Sequence, residues 1–296
     1  MMKPGFVPAL GTPLTADGKF IKESMVKQVN MMIDAGCVGL LAMGSMGQQP
    51  YIPTAECAKV AAAVVEAAAG RVPTFVGAMD CSIARIKERL AAMEELDVAG
   101  FVFTAPYYEA MTEAQNLNFY RQVAKLTKHK IFIYDLPGVV KSKITYEMVK
   151  ELLKDVPNLA GIKTADLQMQ RKLMNDPEVP ENFIQLFSGL DVVDVAYKYG
   201  IHTALDGMFT CTPVNSKLMC DALAKGDQAT AAKALQNILD IRDYMCVVDY
   251  DLWPAYSHAM NALGCEGCFY PDYLWDICEE SKNNLVKFMQ ARGELL

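Results

Sequence analysis

The feature that most constrains the fold of this 296-residue chain is a short, almost wholly apolar run that returns again and again along it. The runs are FVPAL (6–10), GLLAM (39–43), TFVGA (74–78), GFVFT (100–104), KIFIYD (130–135), LAGIK (159–163), IQLFS (184–188) and TALDG (203–207). A strand with one face in water alternates apolar and polar residues, whereas a strand covered on both faces does not. The stretches between the runs carry helical spacing instead. Residues 22–35 place Met25, Val29, Met32 and Ile33 on one face, and 82–96 do the same with Ile83, Ile86, Leu90 and Met93. Residues 54–69 open on T-A-E-C, an N-cap pattern, and 112–127, 145–153 and 191–199 follow the same logic. Strands alternating with helices imply parallel βαβ units. Eight of them suggest an α/β fold closed into a (β/α)8 TIM barrel, with an open doubly wound sheet as the competing architecture. After the eighth run no strand pattern returns. Residues 217–223, 228–244, 252–263 and 272–290 read as helices, so the expected division is a barrel over 1–213 and an all-helical C-terminal extension over 214–296, packed on it.

Composition excludes several function classes. The 28 basic and 35 acidic side chains leave a net charge of −7, and no cluster of Lys and Arg offers a nucleic-acid surface. No apolar stretch approaches the ~18–20 residues of a membrane span. The opening MMKPGFVPALGTPLT lacks the pattern of a signal peptide. The lack of both points to a soluble, cytoplasmic protein, in which nine cysteines, an odd number, fit reduced thiols. Cys265 and Cys268 form a C-x-x-C pair without a second pair or a βα context, and read as two buried or half-buried thiols. His129, His202 and His258 show no metal-ligand spacing, so no bound metal is expected.

In an α/β barrel the chemistry gathers at the C-terminal ends of the strands, where the βα loops converge. Those ends carry Gly44-Ser45-Met46-Gly47, Tyr107-Tyr108, Tyr134-Asp135, Lys163, Gly189 to Asp191, and Asp206. Lys163 is the odd residue of its run. The period of two puts it on the face of Gly161, and if that face is the barrel interior, Gly161 leaves room for an amine among apolar walls. Desolvation disfavours a charged amine, and a neutral one attacks a ketone carbonyl. A solvated strand-end lysine is the other reading at this point. Tyr134 shares a face with Phe132 and points inward too, to move protons or to cap the core. The glycines of GSMGQ (44–48) free backbone N–H groups to meet a carboxylate, with Ser45 adding a hydroxyl.

Taken together, GTPLTADGKF, GSMGQ, TAPYYEAMTEAQ, YDLPG, GIKTAD and SGLD, in that order, resemble the dihydrodipicolinate synthase/N-acetylneuraminate lyase family of class I aldolases. The resemblance runs from Phe6 to about Pro213, and the helical tail agrees with that family's architecture. It implies that Lys163 is the Schiff-base lysine, Tyr134 the general acid/base and Ser45 a hydroxyl linking that phenol to a proton relay. Tyr108 resembles a relay tyrosine that reaches a neighbouring subunit. Met46 falls where a threonine usually holds the pyruvate carboxylate, Leu205 on an apolar pyruvate contact, and Gly189 and Asp191 on the loop facing the acceptor or sugar end. It also implies a small-molecule 2-oxo acid substrate such as pyruvate, no metal or organic cofactor, and a homo-oligomer, commonly a dimer of dimers.

The chain departs from the pattern at four places. Gln48 replaces the usual Glu, Asp135 the usual Asn, and Met46 a hydroxyl. Val139 and Val140 stand where dihydrodipicolinate synthases carry an arginine for the second substrate's carboxylate. Losing that bidentate clamp argues against aspartate semialdehyde as acceptor, unless Lys141 or Lys143 takes its place. The expected activity is thus a carbon–carbon lyase acting on a 2-oxo sugar acid or similar compound. A dehydratase or hydratase-aldolase on the same intermediate, 4-hydroxy-tetrahydrodipicolinate synthase, and a non-catalytic metabolite-binding barrel are the alternatives.

Overall fold

The computed structural model describes residues 2–295. Each apolar run becomes a strand: β1 (Gly5–Pro8), β2 (Leu40–Ala42), β3 (Thr74–Gly77), β4 (Gly100–Thr104), β5 (Ile131–Tyr134), β6 (Leu159–Thr164), β7 (Ile184–Phe187) and β8 (Thr203–Asp206). Neighbours in sequence pair in parallel, β1 pairs with β8, and a bridge from Ala9 to Leu41 brings β1 to β2. The eight parallel strands therefore form a TIM barrel, and the open-sheet alternative is set aside.

Strand alternation produces two separate apolar cores. One fills the barrel and includes Val7, Leu41, Phe75, Val102, Phe132, Leu186 and Leu205. The other lies between the strands and their helices and includes Phe101, Phe103, Ile131, Ile133, Phe187 and Ala204. Adjacent residues of one strand thus fall into different cores, as a pleated strand covered on both faces requires.

The outer helices are α1 (Lys22–Asp34), α2 (Thr54–Ala68), α3 (Ile83–Ala91), α4 (Glu113–Ala124), α5 (Tyr146–Asp155), α6 (Leu167–Asn175), α7 (Val193–Lys198) and α8 (Pro213–Lys225). Then come α9 (Gln228–Val247), α10 (Leu252–Ala262) and α11 (Glu279–Gln290). The periodicity did not reveal α6, which is short and buries only Met169, Gln170 and Leu173. Its start is fixed instead by Asp166, whose side chain accepts from the Met169 N–H. At α2 the cap position falls on Pro53, so Thr54 is the first helical residue and makes no capping bond. The expected helix over 272–290 begins only at Glu279, because Tyr273 and Trp275 face solvent and leave that segment without an apolar face to bury. Helix α8 begins earlier than expected, at Pro213, whose missing N–H costs nothing in a first turn. The buried Glu294 carboxylate accepts from the N–H groups of Val214 and Asn215 at 2.6 and 3.1 Å, which ties the end of the chain to the start of α8.

Candidate active site

Lys163 projects from β6 at its C-terminal end, in the interior row of the barrel. The register aligns it with Tyr134 on β5 and with Leu186 on β7. It is 6% exposed and Tyr134 is 4% exposed. The lysine Nζ lies 3.6 Å from the centre of the Tyr134 ring, so amine and phenol face each other directly. The tyrosine hydroxyl crosses to the loop after β2, where it sits 3.3 Å from Ser45 Oγ. Lys163, Tyr134 and Ser45, widely separated in sequence, thus form one contiguous set. Leu205 lies in the same interior core as Tyr134 and supplies apolar wall beneath it.

The space expected over Gly161 is not empty. A Cβ there would come within 2.6 Å of the Phe132 ring and 2.3 Å of the Ile184 carbonyl oxygen. The glycine makes room for Phe132, which packs edge-on against Phe75 at 4.9 Å between centroids. Met46, in the loop after β2, packs against Gly207, where any Cβ would meet its side chain at 2.6 to 2.9 Å.

Behind the pair lies a polar network. Alternation points Asp135 and Thr164 outward, since Tyr134 and Lys163 point inward. Thr164 Oγ1 donates to Asp135 Oδ2 at 2.8 Å, and the Asp135 N–H donates to the Lys163 carbonyl at 2.9 Å. Asp135 Oδ1 accepts from the Ile144 N–H at 3.1 Å. The carboxylate is 3% exposed and is neutralised by the Lys143 ammonium, which also lies 3.2 Å from Asp166 Oδ2. Only the carboxylate of this pair is buried, since the Lys143 side chain is 39% exposed. Lys143 is thus engaged on the outer side of the strands, and Lys141 donates to the Tyr108 carbonyl at 3.2 Å. Val139 is 58% exposed and places an isopropyl group, with no donor, at its position.

On the other side of the mouth, Asp191 follows Gly189 after β7. Its two oxygens accept from Arg242 of α9 at 2.9 and 3.0 Å, and the guanidinium holds that carboxyl below the usual carboxylate range. Arg242 Nε also donates to Asp243 at 2.9 Å. Asp206, at the end of β8, accepts from the Met208 N–H at 2.8 Å. Burial pushes its carboxyl up, against the opposing fields of Lys163 and Arg242. Arg242 escaped the sequence reading, because nothing in a helix pattern says which strand-end loop that helix will meet.

Tyr108 stands apart from this set. It is 76% exposed, while its neighbour Tyr107 is half-buried, with its phenol pushed up to about 12 by burial and by the nearby Cys81 thiol and Asp80 carboxylate. Cys265 is buried and Cys268 half-buried, both as free thiols. Among the described residues, no group of three His, Cys, Asp or Glu side chains is placed to hold a metal, and no helix is long and apolar enough to cross a membrane.

Residues 2–275 match the dihydrodipicolinate synthetase family. The chain belongs to that family. It is therefore an enzyme of the Schiff-base aldolase group, with a carbon–carbon lyase or synthase activity. Among curated relatives, 4-hydroxy-tetrahydrodipicolinate synthase of Porphyromonas gingivalis is 32% identical over 193 residues, which span 65% of each chain. The Rhizobium meliloti protein of the same name is 29% identical over 239 residues, 81% of this chain and 79% of that one. Of solved structures, N-acetylneuraminate lyase of Proteus mirabilis superposes with a TM-score of 0.90 over the full length of both chains at 19% identity. YagE of Escherichia coli, solved with pyruvate, gives 0.88 at 22% identity, over 99% of this chain and 100% of that one. At these identities the two structures speak for the fold.

Proposed function

We propose that this enzyme forms an imine between Lys163 and the keto carbon of a 2-oxo acid, and cleaves or makes the carbon–carbon bond beyond it. The observation that carries the reading is the buried amine 3.6 Å from the Tyr134 ring, with the phenol in turn 3.3 Å from Ser45. Nζ adds to C2 of the substrate, and water leaves from the carbinolamine to give the iminium. In the cleavage direction, the C4 hydroxyl loses its proton and becomes an aldehyde. The C3–C4 electron pair moves into the enamine, and protonation at C3 followed by hydrolysis releases pyruvate. Tyr134 is the group placed to carry these protons, and Ser45 holds its hydroxyl. Positioned acid–base groups of this kind contribute about 10²–10⁴-fold. Backbone N–H groups of the Ser45–Met46 turn take the carboxylate, Leu205 meets the apolar part of pyruvate, and Gly189 and Asp191 face the distal end. The lysine supplies the electron sink, so the scheme asks for no metal or organic cofactor.

The distal end reads best as hydroxylated rather than anionic. Val139 offers no guanidinium, Lys141 and Lys143 are engaged, and Arg242 is already shared by Asp191 and Asp243. This favours cleavage of a 2-oxo sugar acid over condensation of pyruvate with aspartate semialdehyde. The curated relatives' name, 4-hydroxy-tetrahydrodipicolinate synthase, supports that condensation as the second reading. Dehydration of the same intermediate is the third. Assaying pyruvate release from 2-oxo sugar acids beside condensation with aspartate semialdehyde separates them: brisk condensation overturns the first reading.

The link from sequence to chemistry is tested by trapping. Incubation with pyruvate and borohydride should add the reduced pyruvate mass to the wild-type chain and nothing to Lys163→Ala. An adduct that survives the substitution would sink the assignment. The exposed phenol of Tyr108 supports a homo-oligomer, a dimer at least and a dimer of dimers by family habit, in which it serves a neighbouring site. Sedimentation as a monomer at assay concentration would remove that role. All nine cysteines stand free, which fits a reducing compartment such as the cytoplasm.

A further inference from the structure

The network behind Tyr134 and Lys163 joins the two residues that immediately follow them in sequence. Asp135 comes after Tyr134 and Thr164 after Lys163, and their side chains bond to each other at 2.8 Å on the reverse of the two strands. The Asp135 N–H donates to the Lys163 carbonyl itself at 2.9 Å. A shift of either strand end along its axis would break one of these bonds. It would also move the amine relative to the phenol by the same amount. The carboxylate at the centre is buried, so it holds this position only while a cation neutralises it. Lys143 is that cation, and it is shared with Asp166, the cap of α6.

We propose that Lys143 is a positioning residue: through Asp135 and Thr164 it sets the mutual placement of Tyr134 and Lys163, and so the rate of imine chemistry. This rests on the Schiff-base reading above. Lys143 lies in the same loop after β5 as Val139. Its ammonium serves the catalytic strands from outside the barrel and does not grip substrate from inside it. The expected signature is a loss of rate with binding preserved, since misplacement of reacting groups by a fraction of an ångström to 1 Å costs up to about 10²-fold.

The test compares wild type, Lys143→Met, Asp135→Asn and the double variant. Each is read by the time course of borohydride-trapped pyruvate adduct, by kcat and KM for pyruvate release, and by melting temperature. Lys143→Met should trap pyruvate about 10–100-fold more slowly and lose a similar factor in kcat, with KM nearly unchanged. The double variant should recover most of that rate, because an amide at 135 needs no cation. A wild-type rate for Lys143→Met, or a double variant as slow as Lys143→Met, would overturn the proposal. Should Lys143→Met fail to fold, Thr164→Val removes one hydroxyl and no charge. Slower trapping at an unchanged melting temperature is then the supporting result, and trapping at the wild-type rate the overturning one. Wild-type protein that traps no pyruvate at all overturns the Schiff-base reading, and this inference with it. A wild type that traps normally beside an indifferent Lys143→Met overturns this inference alone.

Discussion

Two acidic residues near the mouth of this barrel are each held by one cation, and they differ in nearly every other respect. Asp135 lies behind β5 and β6, buried, with its charge balanced by Lys143 from its own loop and its oxygens accepting from Thr164 of β6 and from the Ile144 N–H. Asp191 lies on the rim after β7, exposed, with its charge balanced by Arg242 from the distant helix α9. The difference lies in the carboxylates: a buried carboxylate that loses its cation is left as an uncompensated charge among apolar groups, even though the cation itself reaches solvent. An exposed pair is worth about 0–1 kcal/mol and is easily exchanged for contacts with a ligand. In the proposed mechanism the β5–β6 side keeps one chemical step in register. In the same mechanism the β7–β8 side meets whatever lies beyond the reacting carbons.

This comparison can be broken by experiment. The largest effect belongs to the reacting pair: Lys163→Ala should lose essentially all turnover, by more than about 10⁴-fold, as expected for removal of a covalent nucleophile. Retained turnover would mean that the interior row is not the reacting centre. Tyr134→Phe keeps the ring against Lys163 and deletes the proton carrier. It should still trap pyruvate while kcat falls about 10²–10⁴-fold, and unchanged turnover would remove Tyr134 from its role. Rim substitutions should act on binding instead. Asp191→Asn and Arg242→Ala should raise KM for an extended 2-oxo acid by up to roughly tenfold, equivalent to about 1.4 kcal/mol, while pyruvate trapping stays at the wild-type rate. A fall in trapping rate would show that the rim also serves the chemistry, and the contrast between the two sides would fail.

The smallest effect is a control from outside the mouth. Asp176 accepts from Lys150 and Tyr146, which lower its carboxyl from 3.8 to about 2. A depressed carboxyl stabilises the fold fully above its unfolded value and loses that contribution as the pH falls toward the folded value. Urea midpoints should therefore drop between about pH 4 and pH 2 in the wild type, and less so in Asp176→Asn, with kinetic constants at neutral pH unaffected. An equal acid slope in both proteins would remove Asp176 from the account. A changed kcat would show that ion pairs far from the strand ends also reach the site.

Much of the fold is legible in the sequence. Eight apolar runs became eight strands, with ends displaced by a residue or two, because a strand buried on both faces has few other compositions open to it. Helix α6 was missed because its apolar stripe is brief, and the start of α11 was misjudged because Tyr273 and Trp275 are apolar yet exposed. Of the site, Lys163, Tyr134 and Ser45 could be placed at strand ends from periodicity, and the motif order supplied roles for them. Their meeting is a property of the closed barrel. So is the fate of the space over Gly161, which Phe132 fills and the lysine does not.

What the sequence by itself determined is therefore local: which residues alternate inward and which lie at strand ends. Tertiary structure decided which charge meets which. Lys143 turns to Asp135 and Asp166, and Arg242 crosses from the C-terminal helices to Asp191. The physical reason is that strand and helix periodicity reports the surroundings of a side chain, apolar or wet, within its own element. The choice of an ionic partner depends on how loops and helices tens of residues apart pack against one another, and no local repeat in the chain encodes that distance.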